Sequence, residues 1–331
     1  MSKSTFSRRS FVAQAVGMNL LMSHGWTTMA AAWDKLEWKA ALGMNGFASA
    51  IQKYGTAFEI EDILEFAGSV NFGGVELVEN WPHPQYPSSS DRDAIKKLRD
   101  QHARHNLAIF SIQTGAGEAF SPDRSARENY VRVMRDRIEL AEALGCSCIG
   151  MWPYGPLRGQ SVDQAIRHLG SSFAEVARIA YDHGVVAAFE TEPPFAFNKK
   201  KHWKQILDAA SEPKLKMIYD PSHFDLMSGS TGRPHEMLRE IGVENVGYVH
   251  FTDTDGTLRD NGTSKHLPVG DGHVDIDASF KTLRDGGFKG WLMIDGWEIP
   301  DPYDAGRKGV QAIDRFVHSS ASEISAGEIT E

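Results

Sequence analysis

The chain has only two cysteines in 331 residues, and both lie in the segment Gly145-Cys146-Ser147-Cys148. Two cysteines are too few for a fold that depends on several disulfides. A disulfide between Cys146 and Cys148, which are two residues apart on a strand, would close a strained ring. Free cysteine is commonly a small buried apolar residue. We therefore expect Cys146 and Cys148 to be free thiols in the core rather than a redox pair.

The sequence also lacks a basic block and, beyond its N-terminus, any long apolar run. The formal net charge is −9, which argues against a nucleic-acid partner because phosphates require a cationic surface. No apolar run after the N-terminus reaches the length of a membrane span. These features favour a soluble protein without a nucleic-acid partner. They neither indicate nor exclude a homo-oligomer.

The N-terminus contains the twin-arginine pair Arg8-Arg9, an apolar stretch from Phe11 to Met22, and the small residues Ala30-Ala31-Ala32. This order is typical of a twin-arginine export signal with a cleavage site. We predict a leader at residues 1–32, a catalytic domain at 33–318, and a polar, frayed tail at 319–331. The mature chain would be periplasmic or extracellular and would keep no membrane span. An amphipathic leader helix that stays in place is the alternative.

Short apolar segments alternate with amphipathic segments along the rest of the chain. The apolar segments are bounded by turn residues and are therefore predicted to be buried strands. They lie at residues 39–44, 74–78, 107–112, 146–151, 185–190, 215–219, 246–251 and 291–294. Eight strands alternating with helices predict a single-domain (β/α)8 TIM barrel. The alternative is an open doubly wound sheet, but no glycine-rich phosphate loop follows the first strand. Residues 252–275 are predicted to be a long polar loop.

Carboxylates and imidazoles recur where four successive predicted strands end. They are Glu190, Asp220, His223, His250 and Asp295. In a barrel of parallel strands these ends converge on one mouth. Carboxylate oxygens with an imidazole suit Mn²⁺, Mg²⁺ or Co²⁺, and Zn²⁺ stays possible. One acid at a strand end is commonly a helix cap, but four in succession predict a metal site.

Five motifs at these positions carry a family resemblance. They are Phe189-Glu190, Asp220-Pro221-Ser222-His223, His250-Phe251-Thr252-Asp253, Leu267-Pro268-Val269-Gly270-Asp271-Gly272 and Gly290-Trp291-Leu292-Met293-Ile294-Asp295. Together they resemble the sugar isomerase/epimerase family with the xylose-isomerase-like TIM barrel. That family includes ketose 3-epimerases, inosose dehydratases and 3-keto-glycoside lyases. The resemblance covers roughly residues 38–317; its D-x-x-H and H-x-x-D motifs are specific for the family but not for a substrate.

The resemblance implies one divalent metal, with Mn²⁺ as first choice, bound by Glu190, Asp220, His250 and Asp295. It also implies that His223 lies beside a substrate hydroxyl. The family usually has Glu where this chain has Asp295, which is one methylene shorter. Glu298 lies just beyond, so either Asp295 is the ligand and Glu298 a second acid or base, or Glu298 takes the ligand role. We favour Asp295, because it directly follows Ile294, where the family's Glu stands.

Such a site predicts a metal-dependent isomerase or epimerase of a keto-sugar. A divalent cation chelated by a carbonyl oxygen and the adjacent hydroxyl stabilises the enediolate formed when the carbon between them loses its proton. We predict that Glu190 removes this proton and that Asp295 or Glu298 returns one. Because sugar phosphates are cytosolic and the chain is predicted to be exported, we expect an unphosphorylated substrate.

The loops around the predicted mouth contain further candidates for substrate binding. They are Trp81, His83, Trp152, Asp253, Arg259 and Trp297. The tryptophan faces could pack on a pyranose ring, although such residues also fill barrel rims. Arg259 could hold a substrate anion, although a solvated loop residue is the commoner role for arginine.

Three other functions stay open at this point. A 3-keto-glycoside lyase or a dehydratase would form the same enediolate and then expel a leaving group, and export suits a glycoside substrate. A secreted sugar-binding protein without catalysis is a second alternative, because Asp295 departs from the family pattern. An endonuclease fits least, since it requires a cationic face and more histidines.

Overall fold

Eight segments of mostly buried residues pair as parallel strands and close into a barrel. The computed structural model describes residues 37–79, 86–212 and 214–327. The barrel strands are β1 (Trp38–Gly43), β2 (Gly74–Val78), β3 (Ala108–Thr114), β4 (Cys148–Met151), β5 (Val186–Phe189), β6 (Lys216–Tyr219), β7 (Val246–Phe251) and β10 (Gly290–Ile294). They are ordered β1-β10-β7-β6-β5-β4-β3-β2 around the barrel. The predicted TIM barrel is therefore confirmed, and the open doubly wound sheet is wrong.

Helices connect the strands on the outside of the barrel. They are α1 (Met44–Tyr54), α2 (Ile60–Ser69), α3 (Arg92–Ala103), α4 (Arg124–Leu144), α5 (Val162–Asp182), α6 (Lys200–Ala210), α7 (Pro221–Met227), α8 (Pro234–Ile241), α9 (Ile276–Asp285) and α10 (Pro302–Gly327). None of the helices in the described ranges is long and apolar enough to cross a membrane. The predicted leader lies outside the described residues, as do Trp81 and His83.

The ends of the helices follow from local sequence. Ser161 and Gln164 form a reciprocal capping box at the start of α5, which satisfies two backbone N–H groups that have no partner inside the helix. Helix α4 ends at Gly145, whose φ of 83° is a left-handed conformation that glycine adopts without steric cost. These signals explain why both long helices were predictable from the sequence.

The apolar core fills the barrel and the layer between strands and helices. Inside the barrel, Phe110 stacks on Trp291 with ring centroids 4.8 Å apart, and Cys148 packs in the same cluster. Cys146 and Cys148 are both free and buried, as predicted. Burial raises the pKa of the Cys148 thiol to about 12, so this thiol is inert at neutral pH.

Two features differ from the prediction. The segment predicted as a polar loop contains an antiparallel hairpin, β8 (Asp253–Leu258) paired with β9 (Ser264–Leu267). Its strands pair with each other and not with the barrel. They therefore need not be buried on both faces, and they lack the apolar run that marks a barrel strand. The tail predicted to fray from residue 319 is also wrong in part, because α10 continues to Gly327.

Candidate metal centre

The carboxyl ends of β5, β6, β7 and β10 bring the four predicted ligands to one end of the barrel. Glu190, Asp220 and Asp295 each follow their strand directly, and His250 is the fifth residue of β7. All four are buried, with exposed fractions of 0 to 4%. Charged groups are rarely buried so completely unless they are paired or bind a metal.

Three of these residues form a compact donor set. One ligand atom each from Glu190, Asp220 and His250 lies within 4.8 Å of the others, and Nδ1 of His250 is 3.0 Å from Oε1 of Glu190. Asp220 caps helix α7 with Oδ1, which accepts from the backbone N–H groups of Ser222 and His223. Its Oδ2 is buried and has no hydrogen-bond partner among the residues that the structure describes. A buried carboxylate oxygen without a partner fits a divalent cation, so these residues suit the implied metal.

Asp295 and Glu298 lie in different environments. Oδ1 of Asp295 accepts from Asn45 Nδ2 at 3.0 Å and from the backbone N–H of Trp297 at 2.8 Å. Its Oδ2 lies 3.5 Å from Nδ1 of His250. The carboxylate of Glu298 instead forms ion pairs with Lys53 and Arg259. The structure thus places Asp295 at the donor set and Glu298 among cations.

Glu190 is held by two N–H donors. Its Oε2 accepts from Gln113 Nε2 at 2.6 Å and from the indole Nε1 of Trp152 at 3.1 Å. Burial raises its pKa, but the neighbouring imidazoles, His250 first, outweigh burial and bring the pKa of Glu190 below its ordinary value. Glu190 is therefore ionised at neutral pH, as both a ligand and a base must be.

His223 lies at the same mouth. Its Nδ1 is 2.6 Å from the hydroxyl of Ser264, and its Nε2 is 3.8 Å from Oδ2 of Asp220. Burial raises the pKa of Asp220, and the charge of His223 together with the contact to His266 overcomes this effect, so that the pKa falls below its ordinary value. The carboxylate of Asp220 is therefore ionised and can bind a metal cation.

His266 is a site residue that sequence reasoning missed. It is 3% exposed, and neither ring nitrogen has a hydrogen-bond partner in the described part of the chain. Nε2 lies 3.6 Å from Oδ2 of Asp220, and Nδ1 lies 3.9 Å from Oδ1 of Asp295. Burial opposes protonation, but the two carboxylates, Asp295 first, raise the pKa of His266 to about 9. The only signal in the sequence was its position directly before the motif that begins at Leu267.

Glu192 is the second missed residue. It offers a carboxylate oxygen within 4.8 Å of donors from Glu190 and His223, and it accepts a hydrogen bond from the Thr263 hydroxyl at 2.9 Å. Burial raises the pKa of Glu192 above its ordinary value. Its place two residues after Glu190 was visible in the sequence, but nothing there showed that the chain turns it back into the mouth.

The remaining candidates have other partners. Asp253 is fully buried and accepts from the backbone N–H groups of Thr254, Gly270, Gly272 and Val274. It therefore anchors its own loop. Arg259 donates to the carbonyl of His266 at 3.1 Å and pairs with Glu298. Trp297 is half-buried, and its backbone N–H holds Asp295.

This barrel with its strand-end donors defines a class of protein. The chain belongs to the xylose isomerase-like TIM-barrel family, whose model matches residues 64–315. The predicted family is thus confirmed. L-ribulose-5-phosphate 3-epimerase UlaE of Shigella boydii serotype 18 is 23% identical over 177 residues, which are 54% of this chain and 59% of that enzyme.

Two solved structures are similar to this one. The IolI protein with a bound zinc atom aligns with a TM-score of 0.67 at 17% identity, over 85% of this chain and 98% of IolI. D-psicose 3-epimerase of Clostridium cellulolyticum H10, solved with D-tagatose, gives a TM-score of 0.64 at 16% identity, over 84% of this chain and 99% of the epimerase. At these identities the likeness shows the shared fold.

Proposed function

We propose that this chain is a divalent-metal-dependent isomerase or epimerase of an unphosphorylated keto-sugar. The observation that carries the proposal is the buried donor set of Glu190, Asp220 and His250 at the barrel mouth. The family and the likeness to a ketose 3-epimerase support the same activity. Mn²⁺ is the first choice for the metal because carboxylates dominate the donors, and Mg²⁺, Co²⁺ and Zn²⁺ are also compatible.

Each residue of the mouth has a defined task in this reaction. When bound, the cation would stabilise the negative charge of an enediolate on two adjacent substrate oxygens. Glu190, ionised and fixed by Gln113 and Trp152, accepts the proton from carbon. Asp295, protonated from solvent, returns a proton to the carbon, because Glu298 is committed to Lys53 and Arg259. His266, whose ring nitrogens have no hydrogen-bond partner within the described ranges, binds substrate hydroxyls together with His223.

The cations near the mouth support a substrate without a phosphate group. Lys53 and Arg259 both face the carboxylate of Glu298, and Arg259 also donates to a backbone carbonyl. Both side chains are therefore already engaged, with the one carboxylate of Glu298 shared between them. A phosphate would require cations that are free to pair with it.

Glu192 favours a second candidate, a lyase acting on a 3-keto-glycoside. Burial raises the pKa of this carboxyl group, and it lies beside His223. A carboxyl group with a raised pKa keeps its proton to higher pH and can deliver that proton to a departing glycosidic oxygen. The lyase would thus share the first step with the epimerase and differ in the second.

The test is proton exchange in deuterated buffer, followed by NMR, with free ketoses and with 3-keto-glucosides. We expect deuterium incorporation at the carbon beside the carbonyl of a ketose, without release of any fragment. Glu190→Gln should abolish the exchange. Because Glu190 is also a predicted ligand, metal content is measured in the same samples to separate loss of the base from loss of the cation.

The products decide between the candidates. Release of an aglycone that is abolished in Glu192→Gln would favour the lyase over the epimerase. Thr263→Val is the matched control, because it removes the hydrogen bond to Glu192 and keeps the carboxyl group. Absence of exchange with both substrate classes would contradict both enzymatic proposals and favour a sugar-binding protein.

A further inference from the structure

Glu76 is a buried carboxylate on β2 that contacts one of the predicted metal ligands. It is 2% exposed, and it lies in the strand on the far side of the barrel from β6 in the strand order. Its Oε2 is 2.8 Å from Nε2 of His250. Burying a carboxylate is costly, so an acid retained inside a barrel requires a specific partner. The partner here is the imidazole of a predicted metal ligand.

The two nitrogens of His250 face opposite groups. Nε2 faces Glu76, whereas Nδ1 faces Glu190 at 3.0 Å and Asp295 at 3.5 Å. A carboxylate accepts hydrogen bonds, so Glu76 favours a proton on Nε2, and Glu190 and Asp295 favour one on Nδ1 while no cation is bound. A cation held by Glu190 and Asp220 would replace the proton on Nδ1, and the neutral imidazole would then carry its lone pair on that nitrogen. That lone pair points to the side where the carboxylate donors converge.

We propose that Glu76 is a positioning residue for the metal centre: it holds His250 in the tautomer with hydrogen on Nε2 and makes Nδ1 the metal ligand. The proposal rests on the metal site of the proposed function. A carboxylate behind a ligating histidine fixes the orientation of the ring and strengthens its donor nitrogen. Glu76 would therefore raise the affinity for the cation without touching it.

Apart from these carboxylates, the ring of His250 contacts an aromatic side chain. Tyr248 packs against it with centroids 5.3 Å apart at an interplanar angle of 63°, and this contact does not distinguish one nitrogen from the other. Among the described residues, the apolar side chains of the barrel interior, such as Phe110, Cys148 and Trp291, offer no strong acceptor. The choice of tautomer therefore depends on Glu76 from this side.

The test compares Mn²⁺ affinity at one fixed neutral pH, from the EPR signal of free Mn²⁺. Glu76→Ala removes the acceptor, and we expect the Kd to rise about 10- to 100-fold. Glu76→Gln keeps the shape and an acceptor oxygen but loses the charge, and should give a smaller rise. Cys148→Ala is the matched control, since it removes a buried side chain of the barrel interior and keeps the contact between Glu76 and His250. It should bind Mn²⁺ like the unmodified chain.

A spectroscopic readout separates positioning from simple support of the fold. Protein labelled with ¹⁵N-histidine and loaded with Zn²⁺ should show, by long-range ¹H–¹⁵N NMR, His250 protonated on Nε2. The signal is assigned by its absence from His250→Gln. Protonation on Nδ1 in the unmodified chain, or unchanged Mn²⁺ affinity in folded Glu76→Ala and Glu76→Gln, would overturn the inference and leave the proposed function standing. Failure of the unmodified chain to bind any divalent cation would overturn both.

Discussion

At the scale of the residue, Asp295 at the end of β10 is one methylene group shorter than the glutamate that the family resemblance led us to expect there. Asp295 reaches the donor set because its Oδ1 is held by Asn45 and by the backbone of Trp297, which directs Oδ2 towards His250. Glu298, the alternative ligand, has a left-handed backbone with φ of 53°. That conformation is uncommon outside glycine, and it accompanies a side chain engaged by Lys53 and Arg259.

We therefore predict that Asp295→Asn loses divalent metal and Glu298→Gln keeps it. Asn is nearly isosteric but lacks the charge that offsets the cation, so affinity should fall at least as far as the roughly 10- to 100-fold expected for an outer-shell partner. Elemental analysis of protein purified without chelator measures this, with Asp220→Ala and His250→Ala as metal-free references. Retention of metal by Asp295→Asn, with loss in Glu298→Gln, would assign the ligand role to Glu298 instead.

At the scale of the element, the hairpin β8–β9 supplies much of the mouth. It contributes His266 to the donors and Ser264 to His223, and its Thr263 contacts Glu192. The tip is held mainly by polar contacts, in which Arg259 and Asn261 both reach Glu298. Segments with few apolar contacts open more readily than the core. The ion pair at Glu298 thus helps to keep the hairpin over the site.

We predict that Arg259→Met loosens the hairpin while the barrel stays intact. Losing an ion pair that contributes ~1 kcal/mol should raise the rate of amide hydrogen exchange in residues 253–267 about fivefold. Hydrogen–deuterium exchange with mass spectrometry checks this. Asp271→Asn is the control, because it breaks an exposed contact with Lys308 in the same connection. Equal exchange in Arg259→Met and the unmodified chain would show that the ion pair does not hold the hairpin.

At the scale of the whole molecule, the barrel closes between its first and last strands. Trp38 of β1 pairs with Gly290 of β10, and the indole of Trp38 donates to the carbonyl of Phe288 at 2.9 Å. Contacts 250 residues apart in sequence form only after nearly the whole chain has been synthesised. A protein of this kind suits export in the folded state, which is what the arginine pair before β1 predicts.

We predict that the leader directs export of the folded chain and is removed near Ala32. Mass spectrometry of the periplasmic fraction should find an N-terminus close to Trp33. Replacing Arg8 and Arg9 by Lys should leave the precursor in the cytosol, because the arginine pair is what the export route recognises. Normal export of the Lys variant would refute this route.

The sequence by itself determined the strands, the long helices and the carboxylates that lie at strand ends. Buried strands such as β2 and β7 are short apolar runs between turn residues, and helix ends such as Gly145 carry local signals. Glu190 and Asp220 were predictable because a residue that directly follows a barrel strand must lie at the mouth. In these cases the information is local to a few neighbouring residues.

Only the tertiary structure decided which side chains meet at the site. His266 comes from a hairpin that lies across the mouth, and Glu192 is turned back towards it by Thr263. Glu76 reaches His250 across the barrel from 174 residues away. Neither spacing nor periodicity encodes such contacts, because they depend on barrel closure and on the direction of each side chain. For the same reason, the placement of Asp295 at the donors and of Glu298 among cations required the folded chain.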